Sequence, residues 1–112
     1  MKNSAPEKFL PLTHTTYFIL VSLITPLHGY GIMQNVEEMS KGEVKLGPGT
    51  LYGALSKLEK QGVIEKTEEL DEERRKSYVL TNLGRQVVKL ELQRLTHLVA
   101  ATEKQVKELG EI

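Results

Sequence analysis

The chain has 112 residues, with fifteen Lys plus Arg against fifteen Asp plus Glu, so its formal net charge is zero and any attraction to a polyanion must come from where charges sit. That length supports one compact domain with a modest aliphatic core and excludes two independently folded ones. The absence of Cys excludes disulfides, thiolate metal ligands and cysteine nucleophiles and fits a reducing compartment. The longest apolar run, Tyr17 to Ile24, falls far short of the roughly 20 residues that cross a bilayer, and Met1 to Glu7 lacks the pattern of a signal peptide, so a cytoplasmic protein without membrane contact is expected.

Residues 1–10 read as a flexible N-terminal arm. Thr13 is placed to cap a first helix running to about Thr25, stopped by Pro26, and the stretch from Tyr17 to Ile24 is apolar nearly all round. In so small a protein one side of that helix packs on its own core and the other, through residues such as Phe18 and Val21, needs a second subunit. After His28-Gly29 a second helix carries Ile32, Val36 and Met39 on one face and ends near Ser40-Lys41-Gly42. Val44-Lys45-Leu46 is at most a short strand. Gly47-Pro48-Gly49-Thr50 opens a third helix with an apolar stripe of Leu51, Leu55 and Leu58, ended by Gly62.

Val63 to Glu69 and Lys76 to Leu80 are the two strands of a hairpin around a highly charged turn, Leu70 to Arg75. Thr81 or Asn82 then caps a last helix reaching about Leu109, the longest element of the chain. Val88, Leu92, Leu95, Val99, Thr102, Val106 and Leu109 follow alternating steps of four and three, the pattern of a seam between helices, while Leu83, Val87, Leu90 and Leu98 lie on a neighbouring face. One stripe serves the chain's own domain and the other a partner. The result is a mainly α (α+β) fold: a winged helix-turn-helix over residues 11–81 followed by a C-terminal dimerisation helix over 82–112.

In a winged helix-turn-helix the third helix enters the major groove and the hairpin reaches the flanking backbone. The outward face of helix three suits that task. Gly49, Thr50, Gly53 and Ser56 permit close approach, Tyr52 adds a hydrogen-bonding group, and Lys57 and Lys60 reach phosphates, although Glu59 works against a strongly basic patch. A plain solvated helix face is the bland alternative. Tyr30 has two readings, packing in the core beneath helix three or presenting its hydroxyl at the DNA surface, and the first is favoured because an aromatic beside glycines commonly locks packing. Gly29 and Gly31 lack the preceding strand and third glycine of a dinucleotide loop. His14, His28 and His97 lie on separate elements without metal-ligand spacing, and no Ser lies in a nucleophile elbow, so neither an enzyme, nor a metal, nor a cofactor is expected.

His28-Gly29-Tyr30-Gly31-Ile32, Gly49-Thr50-Leu51-Tyr52 with Leu55 and Leu58-Glu59, Gly62-Val63-Ile64, and Arg74-Arg75-Lys76-Ser77-Tyr78-Val79-Leu80-Thr81 with Gly84 occur in order and at the right spacing. In these residues the chain resembles the PadR family of bacterial transcriptional regulators over nearly all of Leu12 to Leu109, in its compact branch with a single C-terminal helix. The resemblance implies a homodimeric repressor that binds a palindromic operator on double-stranded DNA. Gly49, Thr50 and Tyr52 match the start of the family's recognition helix, Lys57 its outward face, and Arg74, Arg75 and Lys76 the basic part of its wing. The wing tip departs from the family's usual Gly or Pro, with five acidic residues between Glu68 and Glu73 that repel phosphates unless they point away.

Relatives often respond to phenolic or drug-like effectors. Phe18, Val21, Leu95 and Val99 would line a cavity for such a small hydrophobic or aromatic molecule between the first and last helices, or else fill a dimer core, and the absence of Trp removes the aromatic slab some drug-binding relatives use. A different class of function, a winged-helix interaction module without DNA affinity, is supported by the zero net charge and the acidic wing.

Overall fold

Thr13 starts the first helix through its own side chain: its hydroxyl oxygen accepts from the Thr16 N–H at 3.1 Å, and α1 spans His14–Ser22. The computed structural model describes residues 5–70 and 75–111, with backbone alone over 68–70. Helix α1 ends three residues short of the expected Thr25. Pro26 disfavours helical backbone in the residue before it, and the Leu23 carbonyl is taken by the Leu80 N–H at 2.9 Å, which draws the chain toward the sheet. Strand β1, Leu27–His28, follows, between Pro26 and the second helix, where no strand was expected.

Helix α2 spans Gly29–Met39 and is capped by His28, whose Nδ1 accepts from the Gly31 N–H at 3.1 Å. Its exit turn uses left-handed backbone at Lys41 and Gly42, with the Gly42 N–H returning to the Glu37 carbonyl at 2.8 Å. Residues 44–46 form no strand. The Val44 N–H is held by the Ser40 hydroxyl at 2.9 Å, and Val44 and Leu46 lie half-buried against the core, so these residues pack by side chain and not by ladder. Helix α3, Pro48–Lys60, opens with Pro in its first turn and is followed by Gly62 at φ +83, as the sequence predicts.

The hairpin consists of β2, Ile64–Leu70, and β3, Lys76–Leu80, paired antiparallel with Ile64 opposite Leu80 and Lys66 opposite Tyr78, and with an irregularity before Leu70 opposite Lys76. Leu27 pairs with Tyr78, so β3 is the central strand of a three-stranded sheet ordered β1-β3-β2. Val63 stays outside the strand because its N–H is turned back to the Leu58 carbonyl, while its carbonyl accepts from the Thr81 N–H just past the end of β3. Helix α4 spans Asn82–Lys107, 26 residues or about 39 Å. Thr81 caps it by accepting from the Gly84 N–H at 3.1 Å while donating to the Gly62 carbonyl at 2.6 Å. One point therefore joins the end of α3, the start of β2 and the start of α4.

The core is aliphatic, with Ile19, Leu20 and Leu23 of the α1 region meeting Ile32 and Val36, Leu51 and Leu55, Val63 and Ile64, and Val87. Burial of these side chains is the main stabilising term, at about 1.5–3 kcal/mol each. Within the arm expected to be flexible, Pro6–Phe9 form one turn of 3-10 helix that packs on α4, with Phe9, Leu10 and Leu12 against the core. The fold is a winged helix-turn-helix with a long C-terminal helix.

Candidate nucleic-acid interface

Leucines at 51, 55 and 58 are buried, which turns the opposite arc of α3 outward. At about 100° per residue, Gly49, Gly53, Ser56 and Lys60 form the centre of that arc, with Tyr52 on one flank and Thr50 and Lys57 on the other. All seven are exposed. No atom approaches within 4 Å of the position a Cβ would take at Gly49 or Gly53, so the middle of the face is a smooth strip along which another backbone can come close. Gly47 supplies no side-chain cap and the first turn holds no acid, which leaves the helix's first N–H groups and its positive end for an anion. The cations Lys57 and Lys60 sit in the last turn. Such a face can accept base edges at its centre and phosphates at both ends.

Tyr52 is 48% exposed, and its hydroxyl is turned inward, lying where a Cβ on Gly29 would overlap it. The absence of a side chain at Gly29 thus lets α3 lean on the start of α2. Burial raises the pKa of Tyr78 on the central strand, and Glu59 and Tyr52 nearby raise it further, so Tyr52 also lies close to the sheet. The expectation that Tyr30 packs in the core is corrected. It is 55% exposed, its ring parallel to that of His28 within 2° at 6.5 Å between centroids, because the Tyr52 ring has taken the place against Gly29.

On the hairpin Lys76 is exposed and Arg75 half-buried, at the edge of the wing. Arg74 and the acidic tip Asp71, Glu72 and Glu73 lie outside the described residues.

The expected partner surface divides in two. Phe18 and Val88 are half-buried against the chain's own core, and Val21 is half-buried on α1. Leu92, Val99 and Val106 are exposed, Val99 by 59%, with Leu95 half-exposed between them. From Thr96 to the end of α4 every residue is exposed, so this part of the helix is not covered by the other described residues. The groove holding Leu95 and Val99 is walled by Thr96, Ala100 and Glu103 of the same helix, and neither Phe18 nor Val21 lines it. Among the described residues that groove does not join Phe18 and Val21 of α1 to Leu95 and Val99 of α4. Among the described residues no group of His, Asp and Glu is placed to hold a metal, and no helix is long and apolar enough to cross a membrane.

Sequence reasoning missed Glu91. Only 1% exposed on α4, its carboxylate accepts from Arg94 Nε at 2.6 Å, from Arg94 Nη2 at 3.0 Å and from the Leu12 N–H at 3.0 Å. The Arg94 hydrogen bonds hold its pKa below the usual carboxylate range, against burial and with help from the Leu12 N–H. Burial, followed by the Glu91 charge, raises the pKa of Tyr17. The signal was present: Glu91 stands four residues from both Val87 and Leu95 on an apolar stripe, with an Arg three residues on.

The model of the transcriptional regulator PadR-like family matches residues 19–90, which contain α2, α3, the whole sheet and the start of α4. The chain belongs to the PadR-like family. Among curated proteins this PadR-like chain is 33% identical over 81 residues to the HTH-type transcriptional regulator SarZ of Staphylococcus saprophyticus, a match covering 71% of this chain and 51% of that one. It is 38% identical over 73 residues to an uncharacterized 37.1 kDa protein in transposon TN4556 of Streptomyces fradiae, covering 65% and 20%. The chain thus spans between a fifth and about half of the length of these curated relatives. Among solved structures it is similar to RosR of H. salinarum, at 30% identity and a TM-score of 0.67 over 90% of this chain and 92% of that one. A PadR-like transcriptional regulator from Bacillus cereus shares the fold at 18% identity, with a TM-score of 0.71 over 93% of this chain and 99% of the other.

Proposed function

We propose that this PadR-like regulator is a cytoplasmic, homodimeric repressor that binds a palindromic operator with residues 11–81 and dimerises through residues 82–112. The observation that carries DNA binding is the outward face of α3: a strip of small residues between an uncapped positive helix end and the two lysines of the last turn. In this reading Gly49, Thr50 and Ser56 meet base edges and sugar-phosphate. Lys57, Lys60, Arg74, Arg75 and Lys76 hold phosphates, and Tyr52 fixes the angle of α3.

Dimerisation is supported by the part of α4 that projects beyond its domain. The radius of gyration is 16.0 Å, against about 13 Å for a compact chain of this size, and the principal extents are 53 × 36 × 21 Å. A projecting helix with exposed Leu92, Leu98, Val99, Val106 and Leu109 is marginal alone and gains from covering its stripe with a second copy. Two copies joined there would place their α3 helices about one DNA turn, 34 Å, or a multiple of it, apart. A small hydrophobic or aromatic effector, seated between subunits at Leu95 and Val99, is the releasing signal in this reading.

Selection of bound duplexes from a random pool tests the proposal. An enriched inverted repeat, and a fall in transcription from a promoter carrying it when the protein is added, are expected. A folded dimer that enriches nothing would favour the interaction module instead.

A further inference from the structure

Of the six aromatic side chains, all of them described, only Tyr30 and Tyr52 are exposed, and both lie at one corner of the domain. They point differently. The Tyr52 hydroxyl lies against the Gly29 backbone, whereas Tyr30, the residue after Gly29, stands out from the first turn of α2 beside the N-terminal half of α3. We infer that Tyr30 is the aromatic that meets the DNA backbone, its hydroxyl donating a hydrogen bond to a phosphate oxygen on the strand flanking the groove that α3 enters. This rests on the DNA-binding reading above.

Three further observations support a phosphate contact. The ring is held before any partner arrives: it stacks on the His28 imidazole, which is itself fixed by accepting the Gly31 N–H, so little side-chain freedom remains to be lost on binding. Its surroundings favour an anion, because the first turn of α2 carries no acidic residue and the positive helix end lies beside it. The acids of α2, Glu37 and Glu38, begin seven residues later, about 10 Å along the axis. A neutral hydroxyl in that place gives position without sequence preference and without releasing a counterion.

Tyr30→Phe keeps the ring and the stack and deletes only the donor. Its affinity is read by fluorescence anisotropy on the duplex enriched by selection and on a scrambled duplex, across a salt series, with the wild-type protein as the comparison. Tyr30→Phe is expected to weaken both duplexes by the same factor, about five- to tenfold, with the salt slope and the melting temperature unchanged. Wild-type affinity of Tyr30→Phe on both duplexes overturns the inference and leaves the DNA-binding reading intact, as does a loss confined to the enriched duplex, which would mean a base contact. A wild-type protein that binds neither duplex overturns both readings.

Discussion

Replacing Glu91 by Ala removes one carboxylate that serves two partners of unequal worth. The side chain of Arg94 is 38% exposed, so water receives its guanidinium and the ion pair counts only as a surface pair, the smaller of the two contributions. The Leu12 N–H is partly buried and loses its acceptor, which costs about 1–2 kcal/mol. Release from keeping a charge buried offsets part of the packing lost with the Glu91 methylenes, so the expected loss is about 2 kcal/mol, or about 8 °C in melting temperature. The loss is to be read by thermal denaturation at fixed protein concentration near pH 7. Arg94→Ala, with the Leu12 hydrogen bond kept, should cost half as much or less. The folded pKa of Glu91 is lowered, so its contribution is present in full above the unfolded glutamate value, about 4.3, and fades as pH falls below it. The gap between wild type and Glu91→Ala should therefore persist from pH 7 to about 5 and close in more acid solution. A Glu91→Ala protein within about 0.5 kcal/mol of wild type at pH 7 would refute the view that this carboxylate ties the segment before α1 to α4.

Gly84→Ala should lower the urea midpoint by the equivalent of about 2–3 kcal/mol, although Ala is the better helix former, because its Cβ overlaps the Val63 carbonyl oxygen; a more stable variant would contradict that packing. Lys57→Ala should reduce the slope of log affinity against log salt by about one phosphate contact, and an unchanged slope removes Lys57 from the interface. Leu95→Glu combined with Val99→Glu should sediment as a monomer and lose operator affinity at the same time. A monomer with full affinity would break the link between α4 and DNA binding.

Local chemistry was legible in the sequence. Thr13, the Gly47-Pro48 opening of α3, Gly62 and the Thr81 cap each act on neighbours within a few residues, and each does so in the structure. What depended on distant partners was not legible. Strand β1 is two residues long and exists because Leu27 meets Tyr78, about fifty positions on, so no pattern within it could announce it. Tyr30 was expected in the core because nothing in its neighbourhood shows that Tyr52, on the next helix, occupies the space over Gly29. The outward face of α3 was legible because it is the complement of one leucine stripe. The division of the α4 seam was less so, since Val88 and Leu92 continue one pattern while packing against the home core and facing solvent respectively.

The junction at Thr81 has a mechanical consequence. Its hydroxyl group and N–H pin α4 to Gly62 and Val63, the residues between the end of α3 and the start of the wing, and from there α4 runs about 39 Å to an end whose residues are all exposed from Thr96 on. That arrangement is a lever with its fulcrum at the reading head. A tilt of 5° at the pivot corresponds to about 3 Å at the far end of such an arm. Conversely, where the far ends are clamped together, displacements of a few ångströms between them return to the domain as a small rotation of α3 and the wing together.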